Sequence, residues 1–201
     1  MVKRIVAEAC CGLIVDVQGF FLAQLDGRTR AFIEANTANL IRLLGHFRIP
    51  VVATLERPLP MKGGLPGEIE HELGALKRGL ASTFEKDFFD LTREAKIKSH
   101  LARLKRRQMI VAGCETDVCV LQSCLGLLEL GHEVFAVEEL VFSSAGDVSA
   151  AKARMQAEGV VFVSYKTLYF ELIEAVGGSR HAEKLDKALG PFPADLPEAA
   201  D

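Results

Sequence analysis

Gln108-Met109-Ile110-Val111-Ala112-Gly113-Cys114-Glu115-Thr116-Asp117-Val118-Cys119-Val120 is the stretch that decides the fold. Its first five residues form a nearly unbroken apolar run, as a strand buried on both faces requires. Gly113 lets the chain turn sharply, and from Asp117 to Leu130 the spacing predicts a helix. Gly131 then stands where a helix is commonly closed by a residue of left-handed conformation. One strand, one tight turn and one helix make half of a βαβ unit, and the rest of the chain repeats the pattern.

Working outward, Cys11 to Asp16 and Ile49 to Leu55 read as buried strands, Glu133 to Val137 and Val160 to Val163 as further ones, and Ala81 to Glu85 as a weaker one. Helical spacing runs from Arg28 to Arg48 (Phe32, Leu40, Leu43, Leu44, Phe47), and marks shorter helices at 68–73, 92–104, 147–158, 167–176 and 181–189. Strands that alternate with helices predict an α/β fold: a three-layer α/β/α, Rossmann-like domain with a mostly parallel sheet of about six strands. The domain is expected over residues 1–189, followed by a loosely held tail, 190–201, rich in Pro, Ala and acidic residues.

Composition narrows the function. The chain has 201 residues, 49% of them apolar and 25% charged, with a net charge of -3. That balance offers no basic surface for nucleic acid and no polybasic membrane anchor. The short cluster Lys105-Arg106-Arg107 reads as a solvated helix end. No apolar run approaches the ~18 residues of a membrane span, and Met1 to Glu8 lacks the apolar core of a secretory signal. The five cysteines include no CxxC pair. Reduced thiols in a cytoplasmic protein, without a structural zinc site, are therefore expected. Walker and GxGxxG fingerprints are absent, so no nucleotide or flavin cofactor is expected.

In a parallel sheet the chemistry lies at the carboxyl ends of the strands, near the point where strand order reverses. Asp16, Lys86 and the Gly113–Cys119 segment each follow a strand there. Asp16 ends an apolar strand, where a carboxylate is costly unless paired or solvated; capping of the next turn is the structural alternative. Lys86, between Phe84 and Phe88-Phe89, could equally be a surface lysine. Thr116 could cap the helix, which would put Cys119 in its first turn, where free N–H groups favour a thiolate. Burial as a small apolar residue is the competing explanation. The other cysteines fit that explanation better: Cys10 and Cys11 sit at the wrong end of the sheet, Cys124 deeper in the helix, Cys114 in the turn.

Three separated motifs, Leu13-Ile-Val-Asp16-Val-Gln18, Phe84-Glu-Lys86-Asp and Gly113-Cys-Glu-Thr-Asp-Val-Cys119-Val, resemble the isochorismatase-like cysteine hydrolases. That superfamily includes isochorismatases, nicotinamidases and N-carbamoyl amidohydrolases. Thr54-Leu-Glu56-Arg-Pro58, Gly63-Gly64, Pro66-Gly-Glu68 and Leu168-Tyr-Phe170 are most similar to its isochorismatase-domain-containing subgroup. The resemblance implies a triad: Cys119 as nucleophile, Asp16 as proton acceptor, and Lys86 as the cation that holds both. It further implies a cis peptide between Cys114 and Glu115, with the N–H groups of Glu115 and Cys119 forming an oxyanion hole. Gln18, Phe21 and Phe88 are candidate pocket residues.

The metal-binding Asp-x-His of nicotinamidases has no counterpart here, and His71 stands alone, so no catalytic metal is expected. Glu138-Glu139 replaces the family's usual Asp-Ala, altering either the site rim or a subunit contact. The function implied is hydrolysis of a small molecule at an amide or carbamoyl C–N bond, by a homo-oligomer (dimer or tetramer). The alternative is a catalytically silent scaffold on the same fold.

Overall fold

The computed structural model describes residues 3–173; the expected helix at 181–189 and the tail 190–201 lie outside the described residues. Strands β1 (Cys10–Val15), β2 (Val51–Glu56), β3 (Ala81–Lys86), β4 (Gln108–Cys114), β5 (Glu133–Phe142) and β6 (Val161–Val163) form one sheet in the order β3-β2-β1-β4-β5-β6. All five pairings are parallel. Strand order reverses between β1 and β4, so the crevice expected to hold a ligand opens above those two strands.

Helices cover both faces. Short α1 (Gly19–Leu22), long α2 (Gly27–His46), short α3 (Leu59–Lys62), α4 (Gly67–Ala75) and α8 (Tyr165–Ile173) belong to one side. On the other lie α5 (Ala95–Leu104), α6 (Leu121–Glu129) and α7 (Ser149–Glu158). The period-2 alternation of β1 divides its side chains between two cores. Cys10 and Ile14 pack with Leu40, Leu44 and Leu168, whereas Cys11, Leu13 and Val15 pack with Ile97, Leu127 and Met155. Gly12 lets α2 come close: a Cβ there would lie 2.4 Å from Leu44 Cδ1. Asp26 caps α2 by accepting the N–H groups of Arg28 and Thr29, both at 3.0 Å.

Several expectations shift in detail. The region expected as one helix over 92–104 is a 3₁₀ turn, Leu91–Arg93, followed by α5. Lys105 closes α5 with φ 52°, in agreement with a solvated helix end for the basic cluster. Helices α1 and α3 have four residues each, too few to show a period in sequence. Strand β5 continues to Phe142 because its register with β4 slips: Val111 pairs with Ala136, but Gly113 pairs with Val141. That bulge carries Glu138 and Glu139, both of which have partners within the chain. Glu138 pairs with Lys152 at 2.6 Å, and Glu139 accepts the Tyr165 N–H at the start of α8 at 3.0 Å.

Candidate active site

The register of the sheet brings the site together. Val15 lies opposite Thr54 of β2 and Gly113 of β4, and Glu56 lies opposite Lys86 across β2 and β3. Four strand ends therefore converge, and Asp16, Lys86 and Cys119, separated by up to about a hundred residues, become neighbours. Asp16 leaves β1 with φ 50°, a conformation that Asp tolerates better than most residues. The Gly113 turn needs glycine outright: φ is 127°, and a Cβ would fall 1.9 Å from the Val15 carbonyl oxygen. The following peptide, Cys114–Glu115, is cis.

The helix beyond that turn starts differently from the sequence expectation. Residues Thr116–Val120 form a π-type turn, in which the Val120 N–H donates to the Glu115 carbonyl at 3.0 Å, and only then does α6 begin. Thr116 does not cap it; its Oγ1 is buried without a hydrogen-bond partner among the described residues. The capping expectation fails because the widened turn draws Thr116 inside, leaving its hydroxyl no terminal N–H to accept. The turn's acidic side chains are instead tied to the segment after β5. Ser143 donates to Asp117 at 2.7 Å, and the Ser144 N–H and hydroxyl both donate to Glu115.

Lys86 is fully buried and sits at the centre. Its Nζ lies 2.7 Å from Asp16 Oδ2, 3.4 Å from Cys119 Sγ and 3.5 Å from Glu56 Oε2, and donates to the Phe88 carbonyl at 3.1 Å. Asp16 Oδ1 also accepts the Thr54 hydroxyl at 2.8 Å. An ammonium so surrounded stays charged. Burial would lower its pKa, but Asp16, Cys119 and Glu56 outweigh burial and raise it.

Glu56 is the participant that the sequence reading did not place in the site. Oε2 accepts the Cys119 thiol at 2.9 Å, and Oε1 pairs with Lys62 from α3. The signals in sequence were the alternation of β2, which puts Glu56 on the same face as Thr54 at the carboxyl end, and its place in the Thr54-Leu-Glu56-Arg-Pro58 stretch of the resemblance, which assigned it no role. Gln18 secures it. Gln18 Oε1 accepts the Glu56 N–H at 2.7 Å, and its Nε2 donates to the carbonyls of Glu56 and Gly63 at 3.2 and 2.7 Å. Gln18 thus joins the strand end to the α3 loop.

The two carboxyl groups are pushed in opposite directions. Burial raises the pKa of Asp16 in spite of Lys86 and Thr54. At Glu56 burial also acts to raise it, but the thiol, Lys62 and Lys86 together bring it below the usual carboxylate range. Burial, then the Asp16 charge, pushes the Cys119 thiol up, with Lys86 opposing. Burial and the Asp16 charge thus work against the thiolate that the N–H groups of the turn were expected to favour, and Glu56 Oε2 stands 2.9 Å away to accept the S–H.

The outer residues divide. Phe21 is buried under Lys62, whose Nζ lies 5.4 Å from the ring centroid; Phe88 is 45% exposed, stacked below Arg93. Asp16, Glu56 and Cys119 offer donor atoms within 4.8 Å of one another, close enough to hold a metal ion. The Lys86 ammonium already lies among those three donors, which makes a second cation electrostatically unfavourable there. His71 is on the surface of α4, its side chain 77% exposed.

A family model described as "Isochorismatase domain" matches residues 10–166. Isochorismatase family protein 2A of Dictyostelium discoideum is 28% identical over 184 residues, covering 87% of this chain and 88% of that protein. YcaC from Pseudomonas aeruginosa, solved with hexane-2,5-diol and covalent acrylamide, shares the fold with a TM-score of 0.84. It is 23% identical and covers 94% of this chain and 92% of its own. The MAR1 ribonuclease from Caenorhabditis elegans has a TM-score of 0.83 at 21% identity, covering 98% of both chains.

Proposed function

The chain belongs to the isochorismatase-domain family, and on that premise we propose that it is a hydrolase of a small molecule with Cys119 as nucleophile and an amide or carbamoyl C–N bond as its target. The observation that carries this reading is the buried Lys86 ammonium, which sits between Asp16 and Cys119 at the carboxyl edge of the sheet. A structural role alone gives no reason to bury a lysine, a carboxylate and a thiol together, because each charge costs several kcal/mol to desolvate.

In this reading the Cys119 proton passes to Asp16, the more basic of the two carboxylates, as sulfur bonds to the carbonyl carbon. The carbonyl π pair moves onto oxygen, where the N–H groups of Glu115 and Cys119 stabilise it; one such donor is typically worth about 3 kcal/mol of barrier. As that pair returns, the C–N bond breaks and Asp16 gives its proton to the departing nitrogen. Water then attacks the thioester, Asp16 takes one of its protons, and the thiol is restored as the acid leaves. Lys86 stays positive throughout and offsets the negative charge that moves between Asp16 and sulfur. Covalent acrylamide in YcaC supports a reactive group on this fold.

Self-association belongs to the same proposal. The exposed apolar residues Phe20, Met61, Phe88 and Phe89 lie in the segments that carry Gln18, Lys62 and Lys86, and a second copy would cover them.

The test is a hydrolysis screen over primary amides, ureas and carbamoyl amines, with Cys119→Ala as the blank. Turnover by the wild type and none by the blank is expected, with an acyl-enzyme mass adduct on Cys119. Activity that survives in the blank would overturn the mechanism, and no turnover of any class would favour the silent scaffold.

A further inference from the structure

Glu56 has no part in the steps above, yet it is the group that accepts the thiol of the nucleophile at rest. Its carboxylate is buried, and Lys62 on one oxygen, with Lys86 near the other, keeps it ionised. An ionised carboxylate can only accept, so in the 2.9 Å contact the Cys119 thiol is the donor. While that bond holds, the proton points at the weaker base and away from Asp16. The thiol must leave Glu56 before the reaction can begin, and Oε2 then keeps only the long 3.5 Å bond from Lys86, an under-satisfied state that is costly in a buried site. A closer donor in place of the thiol restores what is lost.

We propose that Glu56 restrains the Cys119 thiol and selects the substrate: its Oε2 exchanges the S–H for an N–H of a primary amide, urea or carbamoyl group, and the thiol then turns to Asp16. The inference rests on the hydrolase reading and deepens it. Sulfur attacking a carbonyl carbon comes within roughly 3–3.5 Å of it. A nitrogen on that carbon is then within hydrogen-bond reach of the oxygen that the thiol has just left. An ester or vinyl-ether oxygen at the same place has no hydrogen to give, and two lone-pair-bearing oxygens would face each other. The exchange conserves protons: the substrate keeps its N–H, Glu56 stays ionised, and the thiol proton goes to Asp16. The strap that holds Glu56 survives loss of its side chain, because Gln18 bonds to the Glu56 backbone.

The test uses the full chain and two alkylating probes, chloroacetamide and 2-chloro-N,N-dimethylacetamide. They share the reactive carbon, and only the first has N–H groups. Rates of modification at Cys119 are read by peptide mass spectrometry at one pH, each divided by the rate with glutathione. Wild type should prefer the N–H-bearing probe by about tenfold beyond glutathione, the worth of one hydrogen bond to a charged group. Glu56→Leu should bring that preference within about twofold of glutathione, and Glu56→Gln, which keeps a weaker acceptor, should fall between. Melting curves identify which variants are folded, and Glu56→Gln keeps the test decisive if Glu56→Leu is not. A wild-type preference equal to that of glutathione, or one that both variants retain, would overturn the proposal; retention would mark it as steric. The readout needs no turnover, so it can fail while Cys119-dependent hydrolysis stands, and it can succeed where the substrate screen fails.

Discussion

The central strands β1 and β4 bury a polar network at each of their two ends, and the two networks differ in kind. At the amino end the Gln108 side chain is fully engaged without any charge of its own. Its Oε1 accepts the Val6 N–H at 2.8 Å and the Cys10 thiol at 3.4 Å, while Nε2 donates to the Arg4 carbonyl at 2.6 Å and to Glu133 at 2.8 Å. At the carboxyl end, two carboxylates, an ammonium and a thiol crowd together. Burial treats the two thiols alike: it pushes Cys10 up to about 12, and it pushes Cys119 up as well. What separates them is the company. A neutral amide has one protonation state and serves to hold the N-terminal segment, whereas Asp16, Glu56 and Lys86 surround the Cys119 thiol with charge.

The widest gap between the two ends should appear in turnover. Cys119→Ala is expected to lower kcat by about 10⁴-fold or more, as the loss of a nucleophile does. Cys10→Ala should leave it unchanged, and equal losses measured by steady-state kinetics would erase the contrast. Next is Lys86→Met, which leaves two buried carboxylates facing each other. It should cost about 3–5 kcal/mol in urea unfolding as well as activity. Retention of full stability would mean that the carboxylates are not both ionised.

Gln108→Leu sharpens the comparison from the other side. It leaves the Arg4 carbonyl and the Val6 N–H without their partner and should cost about 1–3 kcal/mol, with kcat per folded molecule retained. The finest distinction is in pH. The folded-state pKa of Cys119 lies above the ordinary thiol value of 9.0, so thiolate forms only as pH rises past it. Conversion of Cys119 to its methyl disulfide by methyl methanethiosulfonate, which releases methanesulfinate, should be slower than that of glutathione at neutral pH and still climbing at pH 9–10. A plateau near neutrality would show a resting thiolate and break the assignment of the proton.

How much of this was legible in the sequence depends on the range of the forces involved. The run Gln108–Ala112, the Gly113 turn and the repeated apolar strands announced a buried parallel sheet, since burial on both faces leaves no polar position to alternate. Asp16, Lys86 and Cys119 could be singled out because each stands at the end of a strand or just beyond it, and the structure brings Asp16 and Cys119 both against Lys86. Glu56 was hidden because nothing local distinguishes a strand-terminal glutamate from a solvated one. Its role depends on β2 lying in register with β3, and on Lys62 returning from a helix of only four residues. Gln18, a candidate for the pocket, instead spends its amide on the backbone that holds Glu56 in place. Thr116 misled for a related reason. Its sequence fits a cap, but the π-type turn that seats Cys119 is imposed by the packing around it.

The sequence by itself determined the α/β class, the strand ends at which the candidate residues stand and a turn at Gly113, because hydrophobic burial and backbone freedom are written in residue type and order. That only glycine fits at position 113 is a fact of the structure. The tertiary structure alone decided which ionisable groups meet, where the Cys119 proton rests, and that Asp16 and Glu56 are pushed to opposite sides of their ordinary values. Those properties arise from distances of 2.7–3.5 Å between residues far apart in the chain. At such separations a single added charge changes the electrostatics of every neighbour.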